Sequence, residues 1–357
     1  MLKSMRIPFA PAVLAAAVAL AVPAQAAETI KVTISAGHPI IFPWIKHFHE
    51  TLIPTIDAEL AKTGKYKIAW TEAYGGTLAK LGSELETVEQ GVSDMGMVST
   101  ILQSAKMPLQ NVSLYVPFGP DDIKVVTEAM DDLHQNLPAM RKSWERYNQV
   151  YLVGTAIDNY DIMSNFPIKK IEDLNGRKLA GGGPSLTWIR GTGAVGVVAN
   201  LASFYNDIKT GVYDGTVLFA TGGAGAKLYE VAPYYTKVGF GAMYASGVSI
   251  NKARWDGFPA EVKAAFRAGA NAYRTKYLAE QTARAQGAVE AFAKNGGHVS
   301  TLDPAERARL AKMIPNPTTD WLKLTAEKKL PGKEVLKAYM DRIRATGFKF
   351  ARDFDKE

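Results

Sequence analysis

The chain has 357 residues, 47% of them hydrophobic, no cysteine, and a formal net charge of +7. The missing cysteines exclude disulfides, zinc–thiolate sites and thiol nucleophiles. The basic surplus is interspersed with acids along the whole chain, which favours solubility and a mild attraction for anions over a nucleic-acid groove.

Residues 1–26 place Lys3 and Arg6 before the unbroken apolar run 12–22 and end on Ala24-Gln25-Ala26. A basic start, a short apolar stretch and an A-x-A site are the parts of a cleavable export signal, so the mature chain is expected to begin near Ala27. Its removal takes two cations and no acid, leaving +5. The run is shorter than the about 20 apolar residues that span a bilayer, and no later stretch is long enough, so the protein is not expected to be membrane-embedded. The mature length exceeds what one hydrophobic core usually serves, which predicts two domains.

In chain order, residues 29–36 (TIKVTISA) alternate as a strand and leave through Gly37-His38-Pro39, and 42–60 carry apolar residues at helical spacing. A second strand over 66–70 leads through Tyr74-Gly75-Gly76 to a helix over 78–90, and 94–101 form a third strand. This short βαβα rhythm implies a mostly parallel sheet with flanking helices. Helices are expected over 121–133 and 141–147. The segment 151–163 is long for a strand and nearly free of breakers, and 235–250 is another long extended segment, with glycines at 239, 241 and 247, so both read as hinges crossing between two lobes. Residues 259–294 form a long amphipathic helix stopped by Asn295-Gly296-Gly297, Asp303-Pro304 caps another, and 334–346 closes the chain.

Between the two long segments, a strand, a glycine-rich turn and a helix start occur twice, at 178–188 and 216–228. Helix N-termini carry unpaired N–H groups, and glycine lets a ligand approach the backbone closely, so both turns are a layout for holding an anion. No H-E-x-x-H or G-x-S-x-G occurs, and five histidines assemble no nucleophile with a base, so the chain reads as an exported ligand-binding protein and not an enzyme. The G-x-G-x-x-G match at 191–196 follows a helical segment instead of a strand end and reads as a turn. His47 and His49 lie two apart on one helix, do not share a face, and with Glu50 read as solvated surface, not a metal site.

The segments ELETVEQGVSDMGMV (84–98), Pro117-Phe118, PIKKIEDLNGRKL (167–179), YNDIKTGVYDG (205–215) and SINKARWDGFPAEVKAAF (249–266) come in the order found in TRAP transporter solute-binding proteins, and the chain resembles their dicarboxylate-type branch over nearly all of its mature length. The resemblance implies an α/β, two-lobed, type II-like periplasmic binding protein with hinge strands and a long bridging helix, lobe 1 being 27–155 with 246–295 and lobe 2 being 156–245 with 296–357. It also implies an organic-acid ligand, TRAP membrane permease subunits as partners, a periplasmic location and no cofactor. In that family the strand after D-L-x-G-x-K usually bears an arginine that clamps the ligand carboxylate, and an asparagine follows the D-G pair. Here those positions are Ala180 and Leu218.

An aromatic or otherwise apolar monocarboxylate is therefore expected. Its oxygens would sit on the N–H groups of Gly181 to Gly183, helped by Ser185 and Thr187, and on Thr221 to Gly223. Tyr74, Trp188, Phe219 and Tyr244 either wall the pocket or pack a core; His38, Ser99, Asn159, Gly182, Ser185, Arg190 and Thr221 complete the candidates. Asn159 either donates to ligand or caps a turn, and Arg190 is either the nearest cation or an exposed helix residue. A binding-only sensor and a C4-dicarboxylate binder with relocated contacts are the alternative functions.

Overall fold

Branched and aromatic runs punctuated by glycine turns form nine strands: β1 Glu28–Ser35, β2 Tyr66–Ala73, β3 Met95–Val98, β4 Gln149–Ser164, β5 Lys178–Gly181, β6 Val195–Val198, β7 Gly215–Phe219, β8 Tyr234–Asn251 and β9 His298–Thr301. They come from a computed structural model that describes residues 26–357, so the expected export signal lies, but for Ala26, outside the described residues. One sheet holds all nine in the order β2-β1-β3-β8-β4-β7-β5-β6, with β9 beside β8.

The parallel expectation holds on both flanks, β1 pairing with β2 and β3, and β5 with β6 and β7. It fails at the centre, where β8 runs antiparallel to β3 and β4, and β4 antiparallel to β7. β4 and β8 are the two long segments read as hinges, and both belong to each flank because of their length. Their pairing is broken by register shifts at Tyr151/Val153, Thr155/Ala156, Ile157/Tyr160 and Tyr160/Ile162. Such irregularities bend a strand and increase its twist.

The expected long helix is Ala260–Lys294, 35 residues, or about 52 Å at 1.5 Å per residue. It packs on helix Ile53–Ala61, on helix Ala220–Gly225 and on β4, so it touches both flanks. Tyr273 and Tyr277, fully buried on its inner face, donate to the carbonyls of Trp44 at 2.7 Å and Ala156 at 2.6 Å. Asn295 and Gly296 stop it, Gly296 at φ 87°. The helix over 78–90 shrinks to Glu84–Glu89, because Gly82 turns left-handed at φ 86° just before it. The helix Leu201–Lys209, capped by Asn200, was not expected.

Candidate functional site

The two glycine turns have different fates. After β5, Gly183–Ile189 is a 3₁₀ helix, and its hydroxyls are already spent: Ser185 donates to Gly182 O at 3.2 Å and Thr187 to Pro184 O at 2.7 Å. Ser185 is fully buried. Gly182 is half-buried, and a Cβ built there would meet nothing within 4 Å. After β7, the short helix Ala220–Gly225 does hold an anion, but the anion is the chain's own. Asp158 of β4 accepts the Thr221 N–H at 2.9 Å, the Thr221 hydroxyl at 2.6 Å and the Gln281 amide at 2.8 Å. Burial raises the Asp158 pKa, and these three donors oppose the rise.

Beside this latch a crevice of about 300 Å³ opens between the flanks. Ile41, Phe42 and Trp44, following the β1 exit, form one wall; Leu201 and the turn at Gly222 and Gly225 form the other; Gln281 and Arg284 of the long helix close a side. Phe42 and Trp44 stack at 4.6 Å, and His38 stands edge-on to both at 5.5 Å, its pKa lowered to about 4 by burial. Three helices start at this crevice, with Pro43, Leu201 and Ala220 as their first residues; Asp158 takes the start of the third, which leaves the positive ends at Pro43 and Leu201 beside it. Arg284 is the one cation among the lining residues. Its Nε holds Glu280 at 2.8 Å, and its Nη groups make no hydrogen bond to the described residues. An apolar slot with one forked cation and positive helix ends suits a flat organic acid with one carboxylate.

The sequence candidates scatter around this slot. Thr221 lines it but is committed to Asp158, His38 backs the aromatic wall, and Phe219 lies against Gly222. Tyr74 lies 6.1 Å from the Phe48 ring, with its hydroxyl buried. Ser99 is buried beside Glu84. Near the β1 exit Glu84 is also fully buried, its pKa raised to about 7 by burial. Trp188 is packed between Tyr160 and Phe240 and donates to Leu114 O at 2.7 Å, so it belongs to the core. Tyr244, also fully buried, fills the space left by Gly154 and Gly247. Asn159 accepts from Gly241 N and donates to Asp161, both at 2.8 Å, which makes it part of the strand crossing. Arg190 is exposed and paired with Asp320 at 3.0 Å, away from the crevice.

Ala180 and Leu218 are buried, and beside them Tyr160, Trp188 and Phe219 meet edge to face at 5.3 to 5.4 Å. His47 corrects the solvated reading: it is buried, 2.9 Å from Glu280, whereas His49 is exposed beside Glu72. Among the described residues no cluster of three metal-ligating side chains occurs. Sequence reasoning missed Arg284, because on an amphipathic helix an arginine reads as solvated surface. Phe42 and Trp44 were missed as well, because within 42–60 they read only as the start and the apolar face of a helix.

A two-flanked α/β sheet with a ligand-sized slot at its strand ends, bridged by one long helix, defines a solute-binding protein. Residues 57–322 match the model of bacterial extracellular solute-binding protein, family 7, and the chain belongs to that non-enzymatic family. No curated protein matches the chain. Among solved structures, it is similar to a marine metagenome TRAP solute-binding protein from an unidentified microbe, specific for aromatic acid ligands, with 3-hydroxybenzoate bound (TM-score 0.76, 20% identity, 89% of this chain and 99% of that one). A TRAP periplasmic solute-binding protein from Desulfovibrio salexigens, in an open complex, superposes with TM-score 0.75, 20% identity, and 90% and 98% coverage. A Bordetella pertussis extracytoplasmic solute receptor binding pyroglutamic acid gives 0.72, 19%, 87% and 100%. At these identities the likeness is one of fold: the type II-like architecture of TRAP binding proteins. Among the described residues no helix is long and apolar enough to cross a membrane.

Proposed function

We propose that the protein is the periplasmic solute-binding component of a TRAP transporter, exported by residues 1–26, which captures an aromatic or otherwise apolar monocarboxylate and delivers it to a sodium-coupled membrane permease. The observation that carries the ligand class is the crevice itself: stacked Phe42 and Trp44, Leu201 opposite, and Arg284 as the single lining cation. The ring lies against the aromatic wall, and the carboxylate meets the Arg284 fork near the converging helix ends. A dicarboxylate would bring a second charge for which the slot has no second cation. Ala180 and Leu218, where the family usually has polar side chains, add no donor.

Lobe 1 (27–155 with 246–295) and lobe 2 (156–245 with 296–357) close on the ligand by bending β4 and β8 at their register shifts. The relative that binds 3-hydroxybenzoate supports the aromatic reading. The test is a thermal-shift comparison of 3-hydroxybenzoate, benzoate and succinate, since a ligand that binds only the folded state raises the melting temperature by mass action. A rise with the aromatic acids and none with succinate is expected; the reverse order contradicts the proposal.

A further inference from the structure

A second cavity, of about 390 Å³, lies elsewhere along the long helix, floored by Val150 to Val153 of β4 and lined by no residue of the crevice. Three guanidinium groups face it. Arg267 and Arg274 are seven apart on the long helix, hence on one face, and Arg141 comes from helix Pro138–Glu145. Their partners differ in kind. Arg274 holds the buried Asp131 at 2.8 Å, and that carboxylate also accepts the Tyr151 hydroxyl and, at 3.2 Å, the Gly154 N–H. Asp131 is therefore fully engaged and not free to neutralise anything else.

Among the described residues Arg141 donates only to the carbonyls of His134 and Gln135, which end helix Ile123–Asn136. Arg267 lies over the Trp255 ring at 5.5 Å and has no carboxylate within 4 Å among the described residues. The remaining acid in the lining, Glu145, is exposed and pairs with neither. Two guanidinium groups thus stand without a counter-charge over a partly apolar floor made by Val150, Leu152 and Trp255. The volume exceeds that of a simple inorganic ion and lies within the range of small-molecule pockets.

We propose that this cavity is a second binding site, separate from the crevice, for a small organic polycarboxylate. The ligand pairs two of its carboxylates with Arg141 and Arg267 and lays its carbon skeleton on the Trp255 side. Guanidinium forks recognise carboxylates bidentately, and a partly enclosed site strengthens them relative to open water. Because the long helix carries both Arg267 and Arg284, occupants of the two sites bear on the same rigid element.

The experiment is isothermal calorimetry of the mature protein with citrate as probe, at ionic strength held constant with sodium chloride. Arg267→Ala and Arg141→Ala are the variants, since both side chains are exposed and leave the buried Asp131 network whole; matching urea midpoints confirm their folding. Citrate should bind the parent protein, and each substitution should weaken it roughly tenfold, as expected for losing one charge-assisted hydrogen-bond pair. Absence of citrate binding to the parent, equal affinity in parent and variants, or loss of citrate binding in Arg284→Ala would each overturn the assignment.

Discussion

The turns after β5 and β7 share a sequence signature, small apolar strand, glycines and helix start, yet one is open and the other is filled. At the second, Asp158 reaches from the crossing strand and occupies the anion position with three donors around it. At the first, Gly182 faces open space, and the nearby hydroxyls bond to their own turn. A glycine turn before a helix is thus a place where an anion is stabilised, and local sequence does not say whose anion it is. On the proposed function the ligand's carboxylate is left to the crevice, where Arg284 is the lining cation among the described residues.

The largest expected effect that sharpens this contrast comes from Asp158→Ala. It leaves the Thr221 N–H and hydroxyl and the Gln281 amide without their acceptor in a buried site, and stability to urea should fall by roughly 3 kcal/mol. A fall under about 0.5 kcal/mol, the range of a neutral surface change, would break the latch account. A smaller pair of effects separates the turns directly. A Cβ at Gly223 would strike the buried Met163 sulfur, so Gly223→Ala should cost roughly 1–3 kcal/mol, whereas Gly182→Ala should stay within about 0.5 kcal/mol. Urea midpoints of the two variants check the order.

Much of the architecture was legible because its signals are periodic. The 35-residue helix showed apolar spacing and a glycine stop, β4 showed a long run almost without breakers, and β8 a long extended run despite its glycines at 239, 241 and 247. The antiparallel centre was not legible, since strand direction depends on where the chain returns and not on the strand's own residues. The site was less legible than the fold. Aromatic side chains at strand ends look alike whether they line a slot, as Phe42 does, or fill a core, as Trp188 does. Arg190 and Arg284 are equally polar in sequence, and only tertiary placement sends one to Asp320 on the surface and the other to the crevice.

The most direct measurement is calorimetric titration of 3-hydroxybenzoate into the parent protein, Arg284→Ala and Ser185→Ala. A hydrogen bond to a charged group contributes roughly 1.5–3 kcal/mol, so Arg284→Ala should weaken binding about tenfold or more. Ser185→Ala should bind as the parent does, because its hydroxyl serves Gly182 O. Parent-like affinity in Arg284→Ala together with loss in Ser185→Ala would contradict the account and return the carboxylate to the open glycine turn.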